Sequence, residues 1–524
     1  MALLRVIDLD APSSASPAGG KAEVWKEIEE EDDNMLVKLQ EEPLRKAFFD
    51  DLQSQIPNIC GIVSHHLSLS RLQQCEVADR SEWLYGSFNT CIPINITNWR
   101  KQRLMLRCPF PFMLGGPDGL DEKIRCEAAT FAWISENCPR LPIPHLWGFG
   151  LPNGTSFTPV AHLPWYRRII ESLKRSWAWL WRQSYSTPFV PRQAAFSLKS
   201  GYLLVDFVEE EQGIMLSRIW PPETVEQKRN LYRSLSRIML DLARHPLPRI
   251  GSFMIHNSGK MSLSNRPLTK QLPLLESSGV PLSIPRGRTY SATDSYIRDL
   301  LDCHDMKLRH QPNAVRDDYD AEGQMAVLTI LRAVPSHFTM DRLRHGPFCH
   351  IWTDCHKSNI FVNRRYDITC IPDLEWISVL PIEALSPPVW LSGYAVDEIQ
   401  DEKQKNHHEE MCTEFLDIFG QEDNDQLSTL KPGFCTRTMK DALEKATHWF
   451  WAALNHPRVT YNLFLDHLQP RLAPTQLEGD DCIQFQQILA PYWAPNPSGF
   501  IDQKLADRQK YLEDLRAQHR HRYC

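Results

Sequence analysis

Three oxygen-bearing side chains fall close together in HIWTDCHKSNIFVNRRYDITCIPD, residues 350–373: Asp354, Asn359 five positions on, and Asp373. Two short apolar runs, Ile360–Val362 and Ile368–Ile371, separate the last two, parted by the polar corner Asn363–Arg365. The pattern reads as a loop, then a hairpin, then a carboxylate at the hairpin's far end. A loop aspartate can accept the proton of an attacking hydroxyl. An amide carbonyl and a second carboxylate are hard oxygen ligands, suited to the Mg²⁺ that neutralises a triphosphate. The chemistry this spacing serves is phosphoryl transfer, with Asp354 as base and Asn359 and Asp373 as metal ligands. An aspartate and an asparagine at this spacing are common on ordinary loops. The two apolar runs and the acid that ends the second one set this stretch apart from a plain surface hairpin.

These residues need elements to position them, and several lie upstream. Leu104–Cys108 reads as a short buried strand ended by Pro109 and Pro111. Arg107 sits inside that strand, where a cation is costly unless paired. The next segment, Asp121–Asn137, carries Ile124, Ala128, Phe131, Ala132 and Ile134 at helical spacing, with Glu127 among them. An Arg107–Glu127 ion pair is the expected partnership; a surface arginine and an unrelated helix glutamate is the plainer alternative. Earlier, Tyr85–Thr90 forms a turn with one glycine, Gly86, followed by Ser87, and Cys91–Ile96 follows as a strand. Tyr202–Val208 is a further strand with Asp206, Phe207 and Val208 at its end. Tyr232–Ala243 and Ala321–Val334 read as amphipathic helices, the second leading to the 350–373 stretch.

The chain has 524 residues, enough for two or three domains or for one bilobal enzyme with insertions. A net charge of −7 gives no general attraction to nucleic acid. No apolar run is long enough to span a bilayer, and the N-terminal apolar patch, broken by Arg5, Asp8 and Asp10, is not read as a signal peptide. The 14 cysteines form no C-x-x-C pair and no zinc set, so reduced thiols in a cytoplasmic protein are expected. Residues 11–22, rich in Ala, Ser, Pro and Gly, read as a flexible tail, and Glu23–Leu52 as a solvated surface helix. Trp165–Arg182 has aromatic and basic residues at helical spacing. Packing on the protein is the expectation for it, and membrane contact the lesser alternative. Residues 257–290 read as an exposed polar excursion, and Asp502–Arg520 as a solvated charged helix.

With these residues placed, the chain resembles the aminoglycoside phosphotransferase-like family, close to choline kinases and a branch of the protein-kinase-like fold, in a long fungal-type form. The resemblance rests on LMLRCPFPF, DEKIRCEAATFAWISENCPRLPIPHLWGFG, YLLVDFVEEE and WTDCHKSNIFVNRRYDITCIPDLEW, and spans about residues 83–400. It implies an α+β, bilobal fold with a five-stranded antiparallel N-lobe sheet and a mainly helical C-lobe. It implies ATP and Mg²⁺ as cofactors. It makes Asp354 the catalytic base, and Asn359 and Asp373 the metal ligands. Arg107 and Glu127 become the phosphate-positioning pair, the Gly86–Ser87 turn a cover for phosphates, and Asp206–Val208 the hinge that meets adenine. The family departs from this chain at three places. Arg107 stands where a lysine is usual, Trp352 and Thr353 where His-Gly is usual, and the glycine turn has a single glycine.

The expected layout is an N-terminal tail and helical extension (1–80), an N-lobe (81–208) with an insertion near 151–200, a helical C-lobe (209–500) with the catalytic loop at 350–376, and a charged terminal helix (501–524). The expected function is ATP-dependent phosphorylation of a small-molecule hydroxyl. The departures motivate the alternative, a nucleotide-binding pseudokinase or scaffold without turnover.

Overall fold

The computed structural model describes residues 4–5, 28–70, 72–163, 165–166, 168–170, 173, 187–193, 195–425, 430–473 and 480–523. Within them the fold is α+β. One antiparallel sheet builds an N-terminal lobe, and helices with three small β units build the C-terminal one.

The sheet holds β1 (Leu4–Arg5), β2 (Cys75–Val77), β3 (Leu84–Tyr85), β4 (Asn89–Ile96), β5 (Arg103–Pro109), β6 (Leu146–Gly150), β7 (Thr155–Pro159), β8 (Phe189–Gln193) and β9 (Tyr202–Asp206). Its order is β1-β3-β4-β5-β9-β6-β7-β8, with β2 also paired to β4. The five expected strands are consecutive in it, as β3-β4-β5-β9-β6. The other four enlarge the sheet to nine. Two of them, β7 and β8, come from the expected insertion, which therefore extends the sheet edge. Most of Trp165–Arg182 lies outside the described residues, as does the tail 11–22.

Helix α1 (Met35–Ser54) and helix α2 (Pro117–Asn137) pack against residues of the sheet. Helix α2 starts with Pro117 at its first turn, where a missing N–H costs nothing. It buries Ile124, Ala128, Phe131 and Ile134. Arg125 ties it to the C-lobe by donating to the Ile255 carbonyl at 2.9 Å. That carbonyl belongs to the hairpin of β11 (Ser252–Ile255) and β12 (Met261–Asn265), which follows the short β10 (Ile214–Met215). The second lobe opens on α3 (Val225–Ala243), whose Thr224–Gln227 capping box fixes its start. Helix α4 (Asp318–Ala333) buries Ala321, Met325, Leu328 and Leu331 and leads toward the loop stretch.

Three expectations of solvated segments need correction. Residues 257–290 are no exposed excursion. Arg266, 1% exposed, pairs with Glu122 at 2.8 Å and Glu276 at 2.9 Å, and Leu272, Leu275, Val280 and Ile284 form a core of their own. The polar letters there are buried by pairing, which composition cannot reveal. Helix α1 buries Phe49 and Leu52, with Phe49 packed edge-on against Trp83, Tyr85 and Phe110. The last helix, α5 (Pro497–Tyr523), buries Tyr511 and Leu515 against Met35 of α1. Tyr511 accepts a hydrogen bond from the Met35 N–H at 3.0 Å, and Arg516 reaches Glu29 at 2.6 Å. A few apolar residues widely spaced among charges suffice because the two chain ends cover each other.

Candidate active site

The 350–373 stretch hangs from two antiparallel strand pairings. Strand β13 (Phe348–Trp352) pairs with β16 (Ile377–Pro381), and β14 (Phe361–Val362) pairs with β10 and with β15 (Ile368–Cys370). Asp354 follows β13, Asn359 closes the 3₁₀ turn Lys357–Asn359, and Asp373 lies just past β15. His356 caps that turn: its Nδ1 accepts from the Ser358 N–H at 3.4 Å. Burial pulls the imidazole down to about 4, so it stays neutral and able to accept. Thr353, one of the departures, locks the loop to the second strand by donating from Oγ1 to the Trp376 carbonyl at 2.6 Å.

From the sheet side, Arg107 on β5 reaches across to the loop. Its Nη1 lies 2.9 Å from Glu127 Oε1, and its Nη2 lies 3.0 Å from Asp373 Oδ1. Nη1 also donates to the Pro372 carbonyl at 2.9 Å. The forked guanidinium thus links α2 to the loop carboxylate with separate nitrogens, a task that a lysine's single ammonium does less well. Behind it lies Lys123, which sequence reasoning missed. Its Nζ sits 2.9 Å from Glu127, 2.7 Å from Glu375 and 2.9 Å from Asn89 Oδ1. Asn89 in turn donates to Glu375 at 2.8 Å. The readable signal was the four-residue spacing of Lys123 and Glu127, which on a helix sets two side chains on one face.

This network holds two cations, Arg107 and Lys123, and three carboxylates, Glu127, Asp373 and Glu375. Burial pushes the Glu375 carboxyl up to about 7, reinforced by the charge of Asp373. Burial alone would raise Asp373 as well, but Arg107 and Lys123 outweigh it and hold this carboxyl below its ordinary value. The excess acid is therefore carried at Glu375, whose side chain is 4% exposed, while Asp373 is held as an anion with its side chain 22% exposed.

Gly86, Ser87, Arg107, Asp206, Phe207, Val208, Asp354, Asn359 and Asp373 line one cavity of about 120 Å³ between the lobes. Glu127 stands behind Arg107 instead of on the wall. The Asp206 carboxylate is engaged elsewhere, with Lys101, the Trp147 Nε1–H at 2.6 Å and the His145 N–H at 3.2 Å. It fastens the end of β9 to β6. A Cβ added at Gly86 would meet nothing within 4 Å, so the turn has room to spare.

Asp354 is held on both oxygens. Lys270 Nζ lies 3.0 Å from Oδ1, and the Asn359 side-chain amide donates to Oδ2 at 3.1 Å. Lys270 had no sequence signal: it sits 84 positions away, before the short helix Gln271–Ser277. Among the described residues there is no cluster of three or more His, Cys, Asp or Glu arranged to hold a metal ion, and no helix long and apolar enough to cross a membrane.

The strand order, the strand cation paired to a helix glutamate, and the loop–hairpin–carboxylate array beneath them define a bilobal, protein-kinase-like fold. No family model matches the chain, and no curated protein matches it. Among solved structures it is similar to APH(2")-IIia in complex with GDP and kanamycin, at 12% identity over 83% of this chain and 97% of that one, with a TM-score of 0.36. It is similar to a point mutant of an aminoglycoside 2'-phosphotransferase-IIIa in complex with GDP, at 11% identity over 82% and 93%, TM-score 0.34. It is also similar to the macrolide 2'-phosphotransferase MphH from Brachybacterium faecium, at 10% identity over 80% and 99%, TM-score 0.29.

Proposed function

We propose that the chain is a kinase that transfers the terminal phosphoryl group of ATP to a hydroxyl of a small molecule. The observation that carries the reading is that Asp354, Asn359 and Asp373 line one cleft together with Arg107 and the Gly86–Ser87 turn. In the step, the acceptor oxygen bonds to the γ-phosphorus as the bond to the β–γ bridging oxygen breaks. ADP leaves, and the hydroxyl proton passes to the Asp354 carboxylate. Asp373 and Asn359 would hold Mg²⁺. One anionic carboxylate and one amide at the cleft suit an ion that keeps several waters and takes phosphate oxygens for the rest. Bound there, Mg²⁺ would neutralise charge on the β- and γ-phosphates. Arg107 holds Asp373 in place and offers its charge toward the phosphates, and the Asp206–Val208 segment borders the place for the base.

A second reading has its own support. Both oxygens of Asp354 are already taken, by Lys270 and Asn359. A protein that binds nucleotide without turnover would keep such an arrangement permanently. ADP release from ATP in the presence of a panel of hydroxylated metabolites, measured for the wild type and for Asp354→Asn, separates the two. Turnover in the wild type that is lost in the variant supports the kinase. No turnover with nucleotide binding intact supports the second reading.

A further inference from the structure

On the far side of Asp354 from the nucleotide cleft lies a second and larger cavity of about 680 Å³, and Asp354 and Lys270 stand at its boundary. Its walls carry an unusual density of rings: Trp352, Trp390, Tyr394, Trp449 and Trp451. We propose that this cavity is the acceptor site and takes an uncharged, hydroxylated molecule with a flat apolar body, its hydroxyl directed at Asp354. The proposal rests on the phosphotransfer reading for the role of Asp354, and on the cavity alone for the class of molecule.

The charge inventory argues against a polycation. Apart from Asp354, the only carboxylate on the lining among the described residues is Glu398. Its Oε2 accepts from the Ala395 N–H at 2.7 Å, which turns it toward its own loop. A guest with several ammonium groups would lose their hydration and meet few carboxylates in return. An anion fares little better. Lys270 is paired with Asp354, and Lys357 lies 5.9 Å from the centre of the Trp220 ring. Of the histidines on the wall, burial draws His350 and His448 down to about 3 and lowers His456 as well. What remains is aromatic and aliphatic surface with uncharged polar side chains such as Gln271 and Asn455. Trp352, Trp449 and Trp451 are buried, and Trp390 and Tyr394 are half-buried. Trp390 is further fixed by donating from Nε1 to the Cys355 carbonyl at 2.7 Å, so the ring wall is anchored to the loop that carries Asp354. Aromatic walls with a few uncharged polar side chains among them are the usual make-up of a site for a largely apolar ligand whose hydroxyl is oriented by hydrogen bonds.

The test uses the full chain and three probes: 2-naphthylmethanol (neutral), 2-naphthoate (anionic) and kanamycin (polycationic). Binding is measured by calorimetry without nucleotide, and Mg²⁺–ATP stabilisation is measured on the same samples by thermal melting. The proposal expects 2-naphthylmethanol to bind most tightly, and Tyr394→Ala to weaken it roughly fivefold while the melting temperature is retained. Val396→Asp, which sets a carboxylate among the lining residues, should weaken it as well. Tighter binding of kanamycin or 2-naphthoate would overturn the proposal, as would 2-naphthylmethanol binding that neither variant changes. Binding of the alcohol in the expected order, without any Mg²⁺–ATP stabilisation, would support the cavity assignment and count against the phosphotransfer reading. Stabilisation by Mg²⁺–ATP with the probe order reversed would do the opposite.

Discussion

On the sheet side of Asp354 the wall carries Arg107, Asp373 and Glu375 among apolar residues, and Lys123 and Glu127 stand behind it, the five interlocked at ion-pair distance. On the helical side the walls are rings and aliphatic residues, with Lys270, Lys357 and Glu398 the further charges on the lining among the described residues. Under the proposed function the two chambers, which share Asp354, solve different problems. A triphosphate and its cation must be met with matched charges at fixed positions, so that side is a small cleft backed by a dense network. An acceptor need only be held with one hydroxyl in line, so the other side can be wide and shaped by packing. One loop serves both because it is pinned from each: by Arg107 and Thr353 toward the hairpins, and by Trp390 and Lys270 toward the cavity.

The comparison breaks most visibly at the shared residue. Asp354→Asn should lower turnover by about 10²–10⁴-fold while leaving nucleotide binding in place, checked by steady-state ADP release beside a binding titration. Equal rates would remove Asp354 from the chemistry of both chambers. On the charged side, Lys123→Met removes one of the two buried cations and leaves Glu375 with only Arg107, 3.9 Å away. It should cost about 3–5 kcal/mol of stability by denaturant unfolding, as breaking a buried pair from one end does. A loss under about 1 kcal/mol would mean that the network is not the keystone of the cleft.

A subtler test uses pH. A carboxyl raised above its unfolded value binds its proton more firmly in the fold. The stability tied to Glu375 should therefore be present at low pH and fall as pH rises from about 4.5 to about 7. Asp373 runs the other way: held low, it contributes above its unfolded value and loses that contribution in acid. Glu375→Gln should flatten the melting-temperature profile across the 4.5–7 window; an unchanged slope would assign it to another group. The smallest effect is expected at the turn. Gly86→Ala should change stability by no more than about 0.5 kcal/mol, because the added methyl meets open space. A fall in nucleotide affinity in that variant would show that the ligand's phosphates approach the turn closely.

Legibility in the sequence followed the range of each interaction. The loop residues Asp354, Asn359 and Asp373 are neighbours along the chain, and period-two and helical patterns mark the strands and helices around them. The Arg107–Glu127 partnership was readable because a cation inside an apolar strand demands an acid nearby. Lys123 looked like one more charge on a helix, since burial on both sides of α2 does not show in spacing alone. Lys270 and the ring-lined cavity come together from segments far apart in sequence. The same holds for Arg266 with Glu122, 144 positions apart. Helices α1 and α5 were misread for a related reason: each looks solvated until its distant partners are in place, the sheet for Phe49 and Leu52, and Met35 for Tyr511 and Leu515.

The central claim is that Asp354, Asn359 and Asp373 face one site for a metal-bound nucleotide. Thermal melting with ATP, with and without Mg²⁺, for the wild type and Asp373→Asn tests it most directly. The account predicts a Mg²⁺-dependent gain in the wild type, about 2.7 kcal/mol at a hundredfold excess of ligand over Kd, and its loss in the variant. A wild type that ATP stabilises equally with or without Mg²⁺, or not at all, would contradict it.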